Sequence, residues 1–219
     1  MMQLFYIRNE ETLAPHRLRQ LLALLPPPLQ QKISRYRRWQ DAQASLFGFW
    51  LLIEGLRPLG LPPTTLAHLA YSKQKRPSLP LRPELDFNIS HSGQRVVGVL
   101  STAHRVGIDV ELVRPIDLQD FKRQWTAAEW AQLNAATGYR TFYNFWTRKE
   151  AIIKADGIGL SAPLRDIEVL RSPSRLHGKD WHWQELPLGQ QYVVHLVTDH
   201  FLPAEQLPPL IDKTAIAYS

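Results

Sequence analysis

The chain is 219 residues long, has no cysteine and carries a formal net charge of +6. That length gives one large domain or two small ones with ample core, and the lack of cysteine excludes disulfides and thiolate metal sites. No apolar run approaches the ~18 residues of a membrane-spanning helix, and the apolar stretch in Met1 to Arg8 is too short for a signal peptide. The expected setting is therefore the cytoplasm, without membrane contact. Charge is uneven: residues 1–105 hold a net +8 and residues 106–219 a net −2. A basic half beside a slightly acidic one fits a polyanionic ligand on one side and a metal on the other, or only a solubilising surface.

In chain order, Met1 to Arg8 reads as a first strand. Pro26-Pro27-Pro28 opens a helix, since proline is tolerated in a first turn. From Leu29 to about Arg57 there is no proline, and Leu29, Ile33, Tyr36, Phe47, Trp50 and Leu51 recur at roughly helical spacing. This predicts one long helix, ended by Pro58 and Gly60. Residues 61–84 are proline-rich and read mostly as loop. Phe87 to Ser90 and Val96 to Leu100 read as strands joined by a turn through Ser92-Gly93, and Val106 to Leu112 as a further strand. Helices are expected over 117–136 and 141–156, the second stopped by Gly157. Ile167 to Leu170, Trp181 to Glu185 and Tyr192 to Val197 predict strands of an antiparallel sheet. For the tail after Phe201, packing back and staying loose both fit the sequence. The result is an α+β arrangement split near residue 104, with an N-terminal half of 1–104 and a C-terminal half of 105–219.

The chemistry gathers in two stretches. On a strand, Asp109 and Glu111 project the same way, about 6.5–7 Å apart, while Val106, Ile108, Val110 and Leu112 give the opposite face an apolar stripe. On a helix, Trp146, Glu150 and Lys154 lie at successive i, i+4 positions. Two carboxylates on a strand and a third on a helix are what Mg²⁺ needs when it also binds a substrate phosphate. Each piece has a plainer reading alone. Asp-x-Glu is common on edge strands, Glu150 with Lys154 is an ordinary helical ion pair, and Trp146 suits a core. His91, between Ser90 and Ser92 and before Gly93, fits an anion site or a hydrogen-bonded structural histidine. Lys32, Arg35, Arg37, Arg38, Lys73, Lys75 and Arg76 either complete that site or form a solvated face. Lys75-Arg76-Pro77 stands out because proline fixes the loop presenting the charges.

Three segments, in order and spacing, carry a resemblance: Phe87-Asn88-Ile89-Ser90-His91-Ser92-Gly93, Val106-Gly107-Ile108-Asp109-Val110-Glu111 and Trp146-Thr147-Arg148-Lys149-Glu150-Ala151-Ile152-Ile153-Lys154. Together they resemble 4′-phosphopantetheinyl transferases of the surfactin-synthetase-activating type, in the subgroup with a Trp and Lys-Glu-Ala signature. The resemblance covers roughly residues 1–200. It implies two pseudo-symmetric halves, each a small antiparallel sheet packed with helices, with coenzyme A in the cleft between them. By the same resemblance Asp109, Glu111 and Glu150 are the Mg²⁺ acids, and Lys154 is the lysine beside the reacting phosphate. His91 and Ser90 match positions that contact coenzyme A phosphates, and Arg76, Lys32 and Ser45 look like 3′-phosphate and nucleotide contacts. Two departures stand out. Lys75 replaces a glycine common before the Lys-Pro pair, and Leu29 stands where a basic residue is often found.

The implied reaction moves phosphopantetheine from coenzyme A to a serine of an acyl or peptidyl carrier protein, with Glu150 as metal ligand or as proton acceptor. Leu118, Phe121 and Trp125, with Lys122 and Arg123, are candidates for carrier docking, although core packing accounts for at least two of the three apolar residues. No second copy of the chain is required, so a monomer is expected. Two other classes compete. A nucleic-acid-binding module would fit the basic charge, but no groove-reading motif is visible and three acids would repel a phosphate backbone. A Mg²⁺-dependent phosphodiesterase would use the same acids with water as nucleophile.

Overall fold

The computed structural model describes residues 1–159 and 162–219. Its elements are β1 (Met2–Arg8), α1 (Pro15–Ala23), α2 (Pro27–Ser34), α3 (Trp39–Leu56), β2 (Ala70–Tyr71), β3 (Pro77–Ser78), β4 (Asp86–Ser92), β5 (Arg95–Ser101), β6 (Val106–Leu112), α4 (Ala127–Ala135), α5 (Arg140–Asp156), β7 (Ser174–Leu176), β8 (Lys179–Glu185), β9 (Tyr192–Thr198), β10 (Leu210–Asp212) and α6 (Thr214–Tyr218). Two four-stranded sheets run in the orders β10-β1-β5-β4 and β6-β9-β8-β7. The architecture is thus α+β in two halves, as the sequence implied. The tail packs back: β10 pairs in parallel with β1, and Ala217 joins the core beneath α3.

Helix α3 lies on the first sheet with Leu51 over Gly98, Gly48 against Ile89 and Gly55 against Leu100 and Phe5. On the second, α5 packs through Phe145, Ile152 and Ile153. A third apolar layer joins the sheets themselves, with Leu4, Val97 and Val99 meeting Ile108, Val110 and Leu196.

Three expected elements differ. The long helix from Leu29 is two helices: Arg35 to Arg38, between them, are all exposed, Tyr36 included, and carry three like charges. The 117–136 helix is a 3-10 turn at Leu118–Gln124 followed by α4. Thr126 and Glu129 form a reciprocal capping box that starts α4 afresh. Ile167 to Leu170 is no strand. Ile167 and Val169 are buried, but the Val169 N–H donates to Glu129 Oε1 at 2.9 Å and its C=O accepts from Arg148 at 3.1 Å. Side chains take the bonds a neighbouring strand would have made.

The two halves are stitched at β4 and β6. Because β6 is the edge of its sheet, its outward N–H groups need partners. Every second side chain of β4 supplies one. Val106 N–H donates to Asp86 Oδ2 (2.7 Å), Ile108 to Asn88 Oδ1 (3.1 Å), Val110 to Ser90 Oγ (3.4 Å) and Leu112 to Ser92 Oγ (3.2 Å). Side chains, not a backbone ladder, set the spacing between the halves, and this leaves room for a cleft along the seam.

Candidate active site

Gly107 sets how close α5 comes to β6. A Cβ there would sit 2.0 Å from the Ala151 carbonyl oxygen and 2.8 Å from the Ala155 amide. Only glycine permits this approach, and Ala151 and Ala155 supply the small helix face that meets it. The helix is held from behind by Lys149, which is wholly buried and paired with the equally buried Glu129 at 2.7 Å. Its ammonium also donates to the carbonyls of Gln124 and Leu164 and lies over the Trp125 ring. With Lys149 pointing inward, the next residue, Glu150, and Lys154 one turn later turn toward the seam.

There the expected acids lie within one another's electrostatic reach. Asp109 is almost fully buried on β6. Its Oδ1 accepts from Ser90 Oγ at 2.8 Å and from Lys154 Nζ at 2.6 Å. Its Oδ2 is buried and has no hydrogen-bond partner among the described residues. Glu111 accepts from Ser92 Oγ at 2.6 Å, and burial, then the Asp109 charge, raises its pKa. Glu150 is pushed up to about 7, first by burial and then by Asp109, with Lys154 pulling the other way and Glu111 adding to the rise. Three carboxylates in one field resist sharing it without a cation. Their oxygens are all hard donors, and the unpartnered Oδ2 is a buried acceptor with nothing to accept. The residues present therefore fit a hard divalent ion. They are not drawn tightly together, however: among the described residues, the set whose ligand atoms already lie within 4.8 Å of one another is His104, Asp199 and His200.

Glu150 and Lys154 line a cavity of about 380 Å³ together with Gln74, Lys75, Pro77 and Ile89. Pro77 and Ile89 also border a second cavity of about 200 Å³ lined by Lys32, Ser45 and His91. The two cavities adjoin at Pro77 and Ile89, and Glu150 is the acid that lines the first. Lys32 in the second stands over the rings of Phe49 and Tyr71, 5.4 Å from each centroid. His91 has its pKa lowered by desolvation and by Lys154, so it is neutral near pH 7. Lys75 adopts φ +64, the left-handed region that favours the glycine it replaces.

Arg76 is used differently from the expectation. Its guanidinium binds both oxygens of Asp86 at 2.9 and 2.8 Å, the Lys154 carbonyl at 2.8 Å and the Val106 carbonyl at 3.1 Å. At most one of its five N–H donors is left for a ligand. It ties the loop, β4, β6 and the end of α5 together beside the cleft. Asp86 and Glu129 escaped the sequence reading, and Asn88 and Ser92 entered it only within the motif around His91, not as partners of β6. Asp86, Asn88 and Ser92 were visible as the polar face of β4, alternating with Phe87, Ile89 and His91, and Glu129 as the last residue of Thr-x-x-Glu. Of the docking candidates, Trp125 is core, while Phe121 packs edge-on to Phe142 and Trp146 at 5.0 and 5.5 Å. Trp146 stacks on Phe142, a packing role.

Comparison with known proteins adds to this geometry. Residues 105–197 match the family model described as the 4′-phosphopantetheinyl transferase superfamily, and residues 13–103 match one described as 4′-phosphopantetheinyl transferase, N-terminal. The chain is 30% identical over 192 residues to 4′-phosphopantetheinyl transferase Sfp of Bacillus subtilis (strain 168), covering 85% of this chain and 82% of that protein. It is 31% identical to the L-aminoadipate-semialdehyde dehydrogenase-phosphopantetheinyl transferase of Mus musculus, over 84% of this chain and 70% of the relative. Among the described residues, no helix is long and apolar enough to cross a membrane.

Proposed function

The chain belongs to the 4′-phosphopantetheinyl transferase superfamily, and from that premise we propose that it moves the phosphopantetheine arm of coenzyme A onto a serine of an acyl or peptidyl carrier protein. The serine Oγ forms a bond to the β-phosphorus, the bridging P–O bond breaks, and adenosine 3′,5′-bisphosphate leaves. The observation that carries the reading is that the cavity lined by Glu150 and Lys154 adjoins, at Pro77 and Ile89, a second one lined by Lys32, Ser45 and His91.

Lys32 and Ser45 would hold the nucleotide end, and His91 and Ser90 the phosphates. Lys154 lies within reach of the transferred phosphate and offers charge to its oxygens as they become more negative. Asp109, Glu111 and Glu150 would hold Mg²⁺, which when bound neutralises phosphate oxygens. A Glu150 that does not ligate the ion would instead take the serine proton. Arg76 acts as a positioning residue through the Lys154 carbonyl. The exposed Lys122 and Arg123 of the turn before α4 face solvent, where acidic residues of a carrier would meet them. The cleft is complete within one chain, so no second copy is needed, and no nucleic acid has a part in the reading.

The test is intact-mass measurement of an apo carrier incubated with this protein, Mg²⁺ and coenzyme A. The expected result is a gain of one phosphopantetheine group. With Glu150→Gln the rate should fall by about 10²–10⁴-fold while coenzyme A binding persists; near-normal turnover would refute the role of Glu150.

A further inference from the structure

His104, Asp199 and His200 lie away from the acids of the cleft, where the chain passes from β5 to β6 and where β9 ends. Asp199 Oδ1 is 3.1 Å from His200 Nδ1 and 3.6 Å from His104 Nδ1. In a tetrahedral site with metal–ligand bonds of about 2.0–2.1 Å, neighbouring ligand atoms are about 3.3–3.4 Å apart. The two measured separations bracket that edge length, and all three ligand atoms lie within 4.8 Å of one another. His104 Nδ1 is buried and makes no hydrogen bond among the described residues. A buried ring nitrogen with no partner is costly unless something else engages its lone pair. Asp199 is held in place by the Arg105 N–H at 3.1 Å, the kind of supporting bond that orients a ligating carboxylate. His200 is mostly exposed, which leaves a path from solvent.

We propose that His104, Asp199 and His200 form a binding site for a divalent transition-metal ion of the zinc type, which clips the segment joining the two halves to the end of β9. Two imidazoles and one carboxylate suit such an ion better than Mg²⁺, which favours an all-oxygen set. The site differs from the oxygen site in donor chemistry, in position and in consequence. Arg105, adjacent to His104, grips the carbonyls of Ala155 and Asp156 at the end of α5. A metal clip would therefore steady the C-terminal anchor of that helix. The Arg105 guanidinium is turned to those carbonyls, not to the imidazoles.

The experiment is a Zn²⁺ titration of the full chain by calorimetry in excess Mg²⁺, with thermal unfolding in parallel. One zinc per chain is expected, with a higher unfolding midpoint, because an ion bound only by the folded state stabilises it. His104→Ala and His200→Ala should each weaken zinc by about 10–100-fold or more and abolish the midpoint shift. His200 is exposed enough for its variant to fold normally. His16→Ala, on the exposed side of α1, and Glu150→Gln should leave zinc binding intact. Absence of stoichiometric zinc in the native chain would overturn the proposal. So would binding unchanged in both histidine variants, and so would loss in Glu150→Gln alone, which would place the zinc among the acids.

Discussion

Helices α3 and α5 occupy equivalent places, each laid across a sheet in its own half, yet they are built on different principles. In α3, thirteen of eighteen residues are buried, nearly all of them apolar, and its one buried acid, Glu54, sits near the end against Arg57 and Lys213. In α5 the buried side includes Thr147 and Lys149, and Glu150 and Lys154 stand beside the acids of β6. The first helix stabilises by apolar burial. The second holds ionisable groups where water is scarce, with Lys149 paired to Glu129 and Lys154 to Asp109. Stability in α3 is spread over apolar contacts, whereas α5 adds a few buried polar contacts to an apolar face of its own.

The sharpest way to break this contrast is to remove one such partner. Glu129→Ala leaves the Lys149 ammonium buried without its carboxylate, and burial already depresses the lysine pKa. The expected loss is about 3–5 kcal/mol, read as a lowered urea midpoint. Glu54→Ala in α3 should cost less, about 1 kcal/mol, because both partners it leaves, Arg57 and Lys213, keep some contact with solvent. Equal losses would show that the two helices are anchored alike.

Next in size are the glycines beneath each helix. Gly107→Ala drives a Cβ into the Ala151 carbonyl and the Ala155 amide, backbone atoms that cannot turn aside. A loss of about 3 kcal/mol is expected, together with displacement of Glu150 from its partners. At Gly98, under α3, the nearest atom to a new Cβ is Leu51 Cδ1 at 3.6 Å, an ordinary contact. Gly98→Ala should therefore change stability by less than about 1 kcal/mol. Comparable midpoints for the two variants would mean that α5 is not seated as tightly as its contacts require.

The parts legible in the sequence were local. The β6 bounds, the α5 stop at Gly157 and the shared face of Asp109 and Glu111 follow from period, turn chemistry and alternation. What escaped depends on distant partners. Nothing near Arg76 announces that Asp86 and two carbonyls will consume its guanidinium, and nothing near Val169 says that Glu129 will replace a neighbouring strand. The break after Ser34 was readable in principle from the run of exposed basic residues, but helical spacing on either side hid it. The stitching of β4 to β6 was written in the alternating polar face of β4, yet its meaning needs the opposing edge.

A pH titration separates the two helices by a smaller margin. His195, on β9 beneath α5, is buried and its pKa is well below normal, through burial and then the nearby Arg148 and Arg140 charges. Arg148 Nε donates to its Nε2 at 3.2 Å, which leaves the proton on Nδ1, toward Thr147 Oγ1 at 2.7 Å. The unfolded chain binds a proton near pH 6.5 that the folded chain refuses. This stability is present above that pH and lost as pH falls, by about 1 kcal/mol per pH unit at most below 6. His195→Gln should flatten the slope of unfolding free energy between pH 6.5 and 5. An unchanged slope would show that the folded state accepts the proton after all.

The smallest effect has the opposite sign. Glu150 carries a raised pKa of about 7, so its charge opposes folding above that pH, and the penalty fades as pH falls toward the ordinary glutamate range. Glu150→Gln removes it. In chelator at pH 8 the variant should be more stable than the native chain by about 1 kcal/mol, after allowance for residual solvent around the carboxyl, and the gap should close by pH 5. Added Mg²⁺ should narrow it again, because the native glutamate then has a cation to face and the glutamine does not. A variant less stable than the native chain at pH 8 would mean that Lys154 outweighs Asp109, Glu111 and burial combined. In that case α5 would be stabilised by its acid, and the contrast with α3 would fail at the residue proposed to do the chemistry.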